Sequence, residues 1–187
     1  MNIMKRLFTT LLLSLFLSVL LWPASTAWTD IERMSIFRHT GDGTLGMHDM
    51  MTNEYFNVVY RDKTGRYDED ALATIDHIFR CKGGQEEFPI SLKLIELIDH
   101  IQDHFKAKEV KVISGYRSPD YNHKLRRRSR RVARESYHME GMAADVIIPG
   151  VSARELRNFA KTLQAGGVGY YGRRAFVHID VGPVRSW

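Results

Sequence analysis

Cys81 is the only cysteine in this chain of 187 residues. No intramolecular disulfide can form, so the fold must be held by an apolar core, with a bound metal as the other available staple. The same count excludes a structural zinc site built on several cysteines. With no pKa-lowering context around it, Cys81 itself reads as a small packed hydrophobe rather than a nucleophile. The means for a core are present. Hydrophobic residues make up 44% and charged residues 26% of the chain, the balance of a soluble globular protein. The length suits one domain better than two.

The first 27 residues stand apart from that domain. Lys5 and Arg6 precede an apolar run from Leu11 to Trp22, Pro23 breaks the run, and Ser25-Thr26-Ala27 supplies small residues for cleavage. This order marks a secretory signal peptide over 1–27, its apolar part too short to cross a bilayer comfortably. An uncleaved membrane anchor is the alternative. The mature chain is expected to begin near Trp28 and to be exported, to the periplasm or cell envelope. No cysteine stands near the cleavage point, so no lipid anchor is expected there. Lys5 and Arg6 are the only charges of the leader, so its removal takes the formal charge from +5 to +3. The excess is concentrated in Lys124, Arg126, Arg127, Arg128, Arg130, Arg131 and Arg134. Outside the cytoplasm the patch from Arg126 to Arg134 would meet an anionic wall or membrane surface, not nucleic acid. A merely solvated face is the bland reading of the same run.

Residues 28–43 read as a lead-in segment and 44–187 as the domain. Thr44 to Thr52 and Glu54 to Tyr60 read as two strands joined at Thr52-Asn53, and Lys63-Thr64-Gly65 as a turn. Apolar residues at helical spacing predict helices over Asp68 to Phe79, closed by Lys82-Gly83-Gly84, and over Ser91 to Phe105, with Ser91 as N-cap. Val110 to Ile113 reads as a buried strand, Asp120 to Arg131 as a basic helix or loop, and Ala143 to Ile148 as a strand. Ser152 and Glu155 form a capping box for a helix to about Leu163, ended by Gly166-Gly167. Val168 to Tyr171 and Phe176 to Val181 read as a hairpin around Gly172-Arg173-Arg174. Helices followed by a β-rich end predict an α+β fold, helices packed on a mainly antiparallel sheet. The chain is expected to act as a monomer.

Three groups carry chemistry. In Ser136-Tyr137-His138-Met139-Glu140-Gly141-Met142-Ala143-Ala144-Asp145 the histidine lies in a loop and the aspartate on the following strand, and Gly141 lets the backbone fold back so that both face one point. In Phe176-Val177-His178-Ile179-Asp180, residues two apart share a face of the strand, so His178 and Asp180 point one way and Val177 and Ile179 the other. Two histidines and one carboxylate make a three-ligand set with a fourth position open for water, as catalytic zinc needs. In Ile113-Ser114-Gly115-Tyr116-Arg117-Ser118-Pro119 a strand runs into a glycine turn that presents Arg117. A fixed guanidinium there can hold a carboxylate or stabilise a developing oxyanion.

The first of these groups, Ser-x-His-x-x-Gly-x-Ala-x-Asp, resembles the metal motif of the zinc D-Ala-D-Ala peptidases, a superfamily that includes lysostaphin-type endopeptidases and hedgehog domains. With Ser114 to Pro119 upstream, and Gly166-Gly167-Val168-Gly169-Tyr170-Tyr171 and Phe176 to Asp180 downstream, the chain resembles the MepK branch of murein endopeptidases from about Thr44 to Trp187. The resemblance implies Zn2+ on His138, Asp145 and His178, Arg117 on the substrate or oxyanion, and peptidoglycan as substrate. It implies a murein endopeptidase acting on cross-links or stem peptides, or a D,D- or L,D-carboxypeptidase. Many relatives place a Glu or His just before the last zinc histidine as the base; Gly169 to Val177 holds neither. Asp180 is the candidate catalytic base, or else a partner that orients a ligand histidine.

Ser136 is expected beside the ligands as a hydrogen-bonding, substrate-binding residue rather than a nucleophile. Tyr170 and Tyr171 are expected to line the cleft or to pack in the core. Glu140 reads as exposed loop, and His39, His48, His77, His100, His104 and His123 as surface or packed residues. An inactive peptidoglycan-binding protein that keeps fold and metal is the alternative function, and a basic polymer-binding protein a third.

Overall fold

The computed structural model describes residues 37–130 and 132–187. The leader over 1–27, its cleavage point, residues 28–36 and Arg131 lie outside the described residues. Strand β1 (Thr44–Asp49) pairs antiparallel with β2 (Tyr55–Val59). Asn53 takes the left-handed conformation, φ 60°, that the tight connection requires. Helix α1 (Glu69–Ile78) starts at Asp68, whose carboxylate accepts from the Ala71 N–H at 2.9 Å. Its apolar stripe buries Ile75 and Ile78. Helix α2 (Leu92–Phe105) buries Leu94, Ile95, Leu97, Ile98 and Ile101. Strand β3 (Val110–Ser114) leads to helix α3 (Pro119–Arg128), with Pro119 in the first turn where its missing N–H costs nothing. Strand β4 (Ala143–Ile147), helix α4 (Ala153–Leu163), strands β5 (Gly167–Tyr171) and β6 (Phe176–Asp180) and the short β7 (Arg185–Ser186) complete the chain.

All seven strands form one sheet in the order β2-β1-β3-β4-β6-β5-β7. Its pairs are antiparallel except β1 with β3 and β5 with β7. The fold is α+β with helices on a mainly antiparallel sheet. The core is continuous from Leu45, Val110 and Val112 on the strands to Ile75, Ile98 and Leu156 on the helices. Cys81 is fully buried in it, as a small hydrophobe should be. Helices α2 and α4 meet through Phe159, which stacks on His104 at 3.5 Å and edges onto Phe105 at 5.4 Å.

Where the lead-in passes α2, a buried polar network fastens it. Arg61 Nε donates to Glu96 at 2.6 Å, the Tyr67 hydroxyl donates to the same carboxylate at 2.9 Å, and Asp99 accepts from the Tyr60 hydroxyl at 2.6 Å and the Gly43 N–H at 2.9 Å.

Three local expectations are corrected. Ser91 occupies the N-cap position of α2, yet its hydroxyl makes no cap bond; its backbone N–H donates instead to Gly141 O at 2.9 Å. Helix α4 does not end through Gly166-Gly167. Gln164 takes the left-handed cap at φ 52°, while Gly166 is needed because a Cβ there would run into the Asp180 carbonyl. Helix α1 ends at Phe79, before the Lys82-Gly83-Gly84 turn.

Candidate metal centre and cleft

Strand pairing does most of the placement. Asp145 on β4 and His178 on β6 are directly opposite each other in the antiparallel ladder. Ser114 at the end of β3 lies opposite Asp145 on its other side, after a register irregularity beyond Val112. His138 arrives on a single 3-10 turn, Tyr137–Glu140. Gly141, at φ 64°, then reverses the chain into β4, and a Cβ there would press on the Pro89 carbonyl. The Arg117 N–H donates to His138 O at 3.0 Å, which joins the Arg117 loop to the histidine turn.

The two imidazoles are oriented by opposite nitrogens. His138 Nδ1 lies 2.7 Å from Gly115 O, which can only accept, so Nδ1 carries the proton and Nε2 presents a lone pair. His178 Nε2 lies 3.0 Å from Asp180 Oδ2, so there Nδ1 is the inward atom. His138 Nε2, His178 Nδ1 and Asp145 Oδ1 form a triangle with edges of 3.1, 2.9 and 3.3 Å. A tetrahedral zinc with bonds of about 2.0–2.1 Å needs its ligand atoms roughly 3.3 Å apart, so the donor set and its spacing fit such an ion. All three side chains are buried. Burial pushes the His138 imidazole down. At Asp145 burial acts upward, but His138, His178 and Arg117 outweigh it and hold the carboxyl well below the usual range. Burial also acts downward on His178, and its bonds to Asp145 and Asp180 more than reverse it. The other cluster that meets the geometry among the described residues, Asp42, Asp99 and Asp103, has no histidine and two exposed members. Backbone N–H groups of Asp42 and Gly43 already occupy its carboxylates.

The triangle opens into a cleft of about 1530 Å³, walled by α3, the loop before His138, the β5–β6 turn and the C-terminus. Tyr121, Tyr137, Tyr170, Tyr171 and Trp187 give it aromatic walls, and Arg117, Arg128, Arg173, Arg174 and Arg185 give it positive charge.

A family model described as peptidoglycan L,D-endopeptidase MepK matches residues 39–187. The chain belongs to the MepK family. It is 40% identical over 144 residues to the peptidoglycan L,D-endopeptidase MepK of Escherichia coli K12, covering 76% of this chain and 79% of that protein. The Shigella flexneri protein of the same name matches to the same extent. The probable peptidoglycan L,D-endopeptidase MepK of Haemophilus influenzae is 39% identical over 118 residues, 62% of this chain and 63% of that protein. No solved structure matches at a significant level.

In this MepK-family chain Arg117 reaches the cleft but is already engaged. Its Nε donates to Ser114 Oγ at 2.9 Å and its Nη2 to Asp145 Oδ2 at 2.5 Å, so it holds the outer oxygen of the carboxylate whose inner oxygen faces the histidines. Asp180 does not suit a base. It is 0% exposed and accepts from His178, both terminal nitrogens of Arg185, and the N–H groups of Gly167 and Gly182. Burial would raise its pKa, but the bonds from His178, Arg185, Gly167 and Gly182 win and bring it to about 2. Of the two readings of Asp180, the geometry is that of a partner orienting His178. Ser136 sits half-buried on the cleft wall. Tyr170 is exposed on the cleft wall with the Arg157 guanidinium 5.9 Å over its ring, while Tyr171 stacks on Phe176 at 4.6 Å. Glu140 is exposed, as expected of loop. Arg127, Arg128, Arg130 and Arg134 are exposed, and none of them forms an ion pair among the described residues.

Sequence reasoning missed Gly115, whose carbonyl sets the His138 tautomer, and Trp187, whose ring lies 5.3 Å from that of His178. Neither carries a local signal: one acts through its backbone, and the other meets His178 only through the fold.

Proposed function

We propose that this chain is an exported, zinc-dependent peptidoglycan endopeptidase that cuts the L,D type of peptide bond for which its relatives are named. The observation that carries the proposal is the convergence of His138 Nε2, His178 Nδ1 and Asp145 Oδ1, with the opposite ring nitrogen of each histidine held by Gly115 O or Asp180 Oδ2. Each histidine commits its outer N–H to a fixed acceptor, which leaves His138 Nε2 and His178 Nδ1 bare and facing Asp145 Oδ1. Three electron-pair donors within 3.3 Å of one another repel unless a cation or a shared proton lies between them, and a metal ion satisfies all three at once.

Zinc bound there supplies Lewis acidity and a water of lowered pKa, able to attack an amide near neutral pH. The protein's own groups then have distinct tasks. Arg117 holds Asp145 in register and stands at the cleft, where its guanidinium meets the scissile carbonyl oxygen as negative charge develops. Asp180 keeps the proton on His178 Nε2. Ser136 and Tyr170 on the cleft wall contact the stem peptide. The leader over 1–27 brings the chain to the wall, and Arg127, Arg128, Arg130 and Arg134 hold it near anionic polymer beside the cleft.

Digestion of purified cross-linked muropeptides, read by mass spectrometry with and without a chelator, tests the reading. An endopeptidase converts dimers to monomers only while metal is present. Release of terminal D-Ala alone would make it a carboxypeptidase, and unaltered muropeptides with metal still bound would make it a wall-binding protein without turnover.

A further inference from the structure

The C-terminal tail reaches the metal-ligand cluster from behind. After β6 the chain turns through Gly182-Pro183 and returns as β7, parallel to β5. This brings Arg185 against Asp180 as a fork. Nη1 donates to Oδ1 at 3.1 Å and Nη2 to Oδ2 at 2.6 Å. The Arg185 side chain is 40% exposed, yet its guanidinium has further neighbours. It lies 5.1 Å from the ring of Tyr137 and 5.1 Å from the ring of Trp187, and Nη1 also donates to Pro183 O at 3.0 Å. Tyr137 directly precedes His138 in the chain, and the Trp187 ring lies 5.3 Å from that of His178, so Arg185 lies beside a neighbour of each histidine.

The distribution of bonds on Asp180 is uneven. Both backbone N–H groups, from Gly167 and Gly182, reach Oδ1. Among the described residues Oδ2, the oxygen that faces His178, has one partner besides that histidine, which is Arg185 Nη2. Without Arg185 the carboxylate keeps its two backbone bonds at Oδ1 but only the His178 bond at Oδ2, so less resists its rotation about Cβ–Cγ.

We propose that Arg185 is a positioning residue of the metal centre: its fork on Asp180 keeps the His178 Nε2–H in place and so keeps His178 Nδ1 aimed at the point it shares with His138 Nε2 and Asp145 Oδ1. The proposal rests on the zinc reading above for its purpose, but its geometric content holds in metal-free protein too. A lysine cannot replace the arginine, because a point charge spans one oxygen and does not stack flat between two rings.

The test uses the mature full-length chain with Arg185→Ala and Arg185→Lys. NMR of histidine-labelled protein reads the His178 Nε2–H, expected in the parent as a slowly exchanging, downfield signal with and without zinc. Competition against a chelator reads zinc affinity. In Arg185→Ala the Nε2–H signal should be lost to exchange and zinc affinity should fall by about 10-fold, the lower end of what ligand-orienting partners contribute. Arg185→Lys should recover only a minor part of either loss. Should Arg185→Ala not fold, Arg185→Lys carries both readouts. Parent-like Nε2–H protection and parent-like zinc affinity in the folded variants would overturn the proposal. If the parent itself binds no zinc, the functional reading fails, and the Nε2–H signal still decides the role of Arg185.

Discussion

His178 shows how little freedom a ligand has here. One nitrogen is held at 3.0 Å by Asp180 and the other stands 2.9 Å from Asp145. His178→Ala should therefore remove most bound zinc while leaving the helices intact, as metal analysis beside far-UV circular dichroism would show; full occupancy would mean that the ligands are misassigned. Asp180→Asn should lower zinc affinity by about 10–100-fold with activity returning at higher zinc. A collapse that added zinc does not reverse would restore Asp180 as the base. At zinc concentrations that saturate its site, Arg117→Ala should still lose about 10²–10³ in turnover, the usual effect of removing a donor from a developing oxyanion, and Arg117→Lys should recover little. That His138 and Asp145 face one point was legible in the local Gly141 turn, whereas His178 joined them through the family resemblance, because the β4–β6 pairing that sets it opposite Asp145 is not a local feature. The engagement of Arg117 with Asp145 was not, because 28 residues separate them and only the β3–β4 pairing brings them together. Nor was the caging of Asp180, which depends on a backbone N–H from β5 and a side chain from β7.

Among the helices and strands, sequence patterning located α1, α2, α4 and β1 to β6 to within a few residues, while α3 was left open as helix or loop and β7 was not foreseen. At α4 the Ser152 hydroxyl accepts from the Glu155 N–H at 3.2 Å, as the Ser-x-x-Glu pattern implies. Ser152→Ala should cost about 1 kcal/mol, seen as roughly 2–4 °C in melting temperature for a domain of this size. At α2 Ser91 stands at the N-cap, as its position in the sequence implies, but its hydroxyl makes no cap bond and its backbone carbonyl takes the Leu94 and Ile95 N–H groups. The network that α2 makes with the lead-in gives a pH signature. Burial raises Asp99 to about 7, against the lowering effect of its bonds from Tyr60 and Gly43. The folded state therefore holds a proton that the unfolded chain releases near pH 4. The stability tied to that proton is full below pH 4 and is lost as pH rises towards 7. The melting temperature of the parent relative to Asp99→Asn should accordingly fall between pH 4 and pH 7. A difference that stays constant would place the carboxyl in an ordinary state.

Taken together, the sheet acts as the frame of the centre. Its central strands β4 and β6 carry Asp145 and His178, β3 delivers the Arg117 loop, and the tail beyond β6 closes behind them. With no disulfide to hold these strands, bound zinc should raise the melting temperature with the logarithm of its excess over Kd, since an ion that binds only the folded chain stabilises it by mass action. The measurement that bears most directly on this account is a titration of zinc into metal-stripped protein, with turnover of a cross-linked muropeptide as the readout. Activity should rise from near zero, level off at one zinc per chain, and fail to appear in His178→Ala. Full turnover by the metal-free chain, or an endpoint reached identically by His178→Ala, would contradict it.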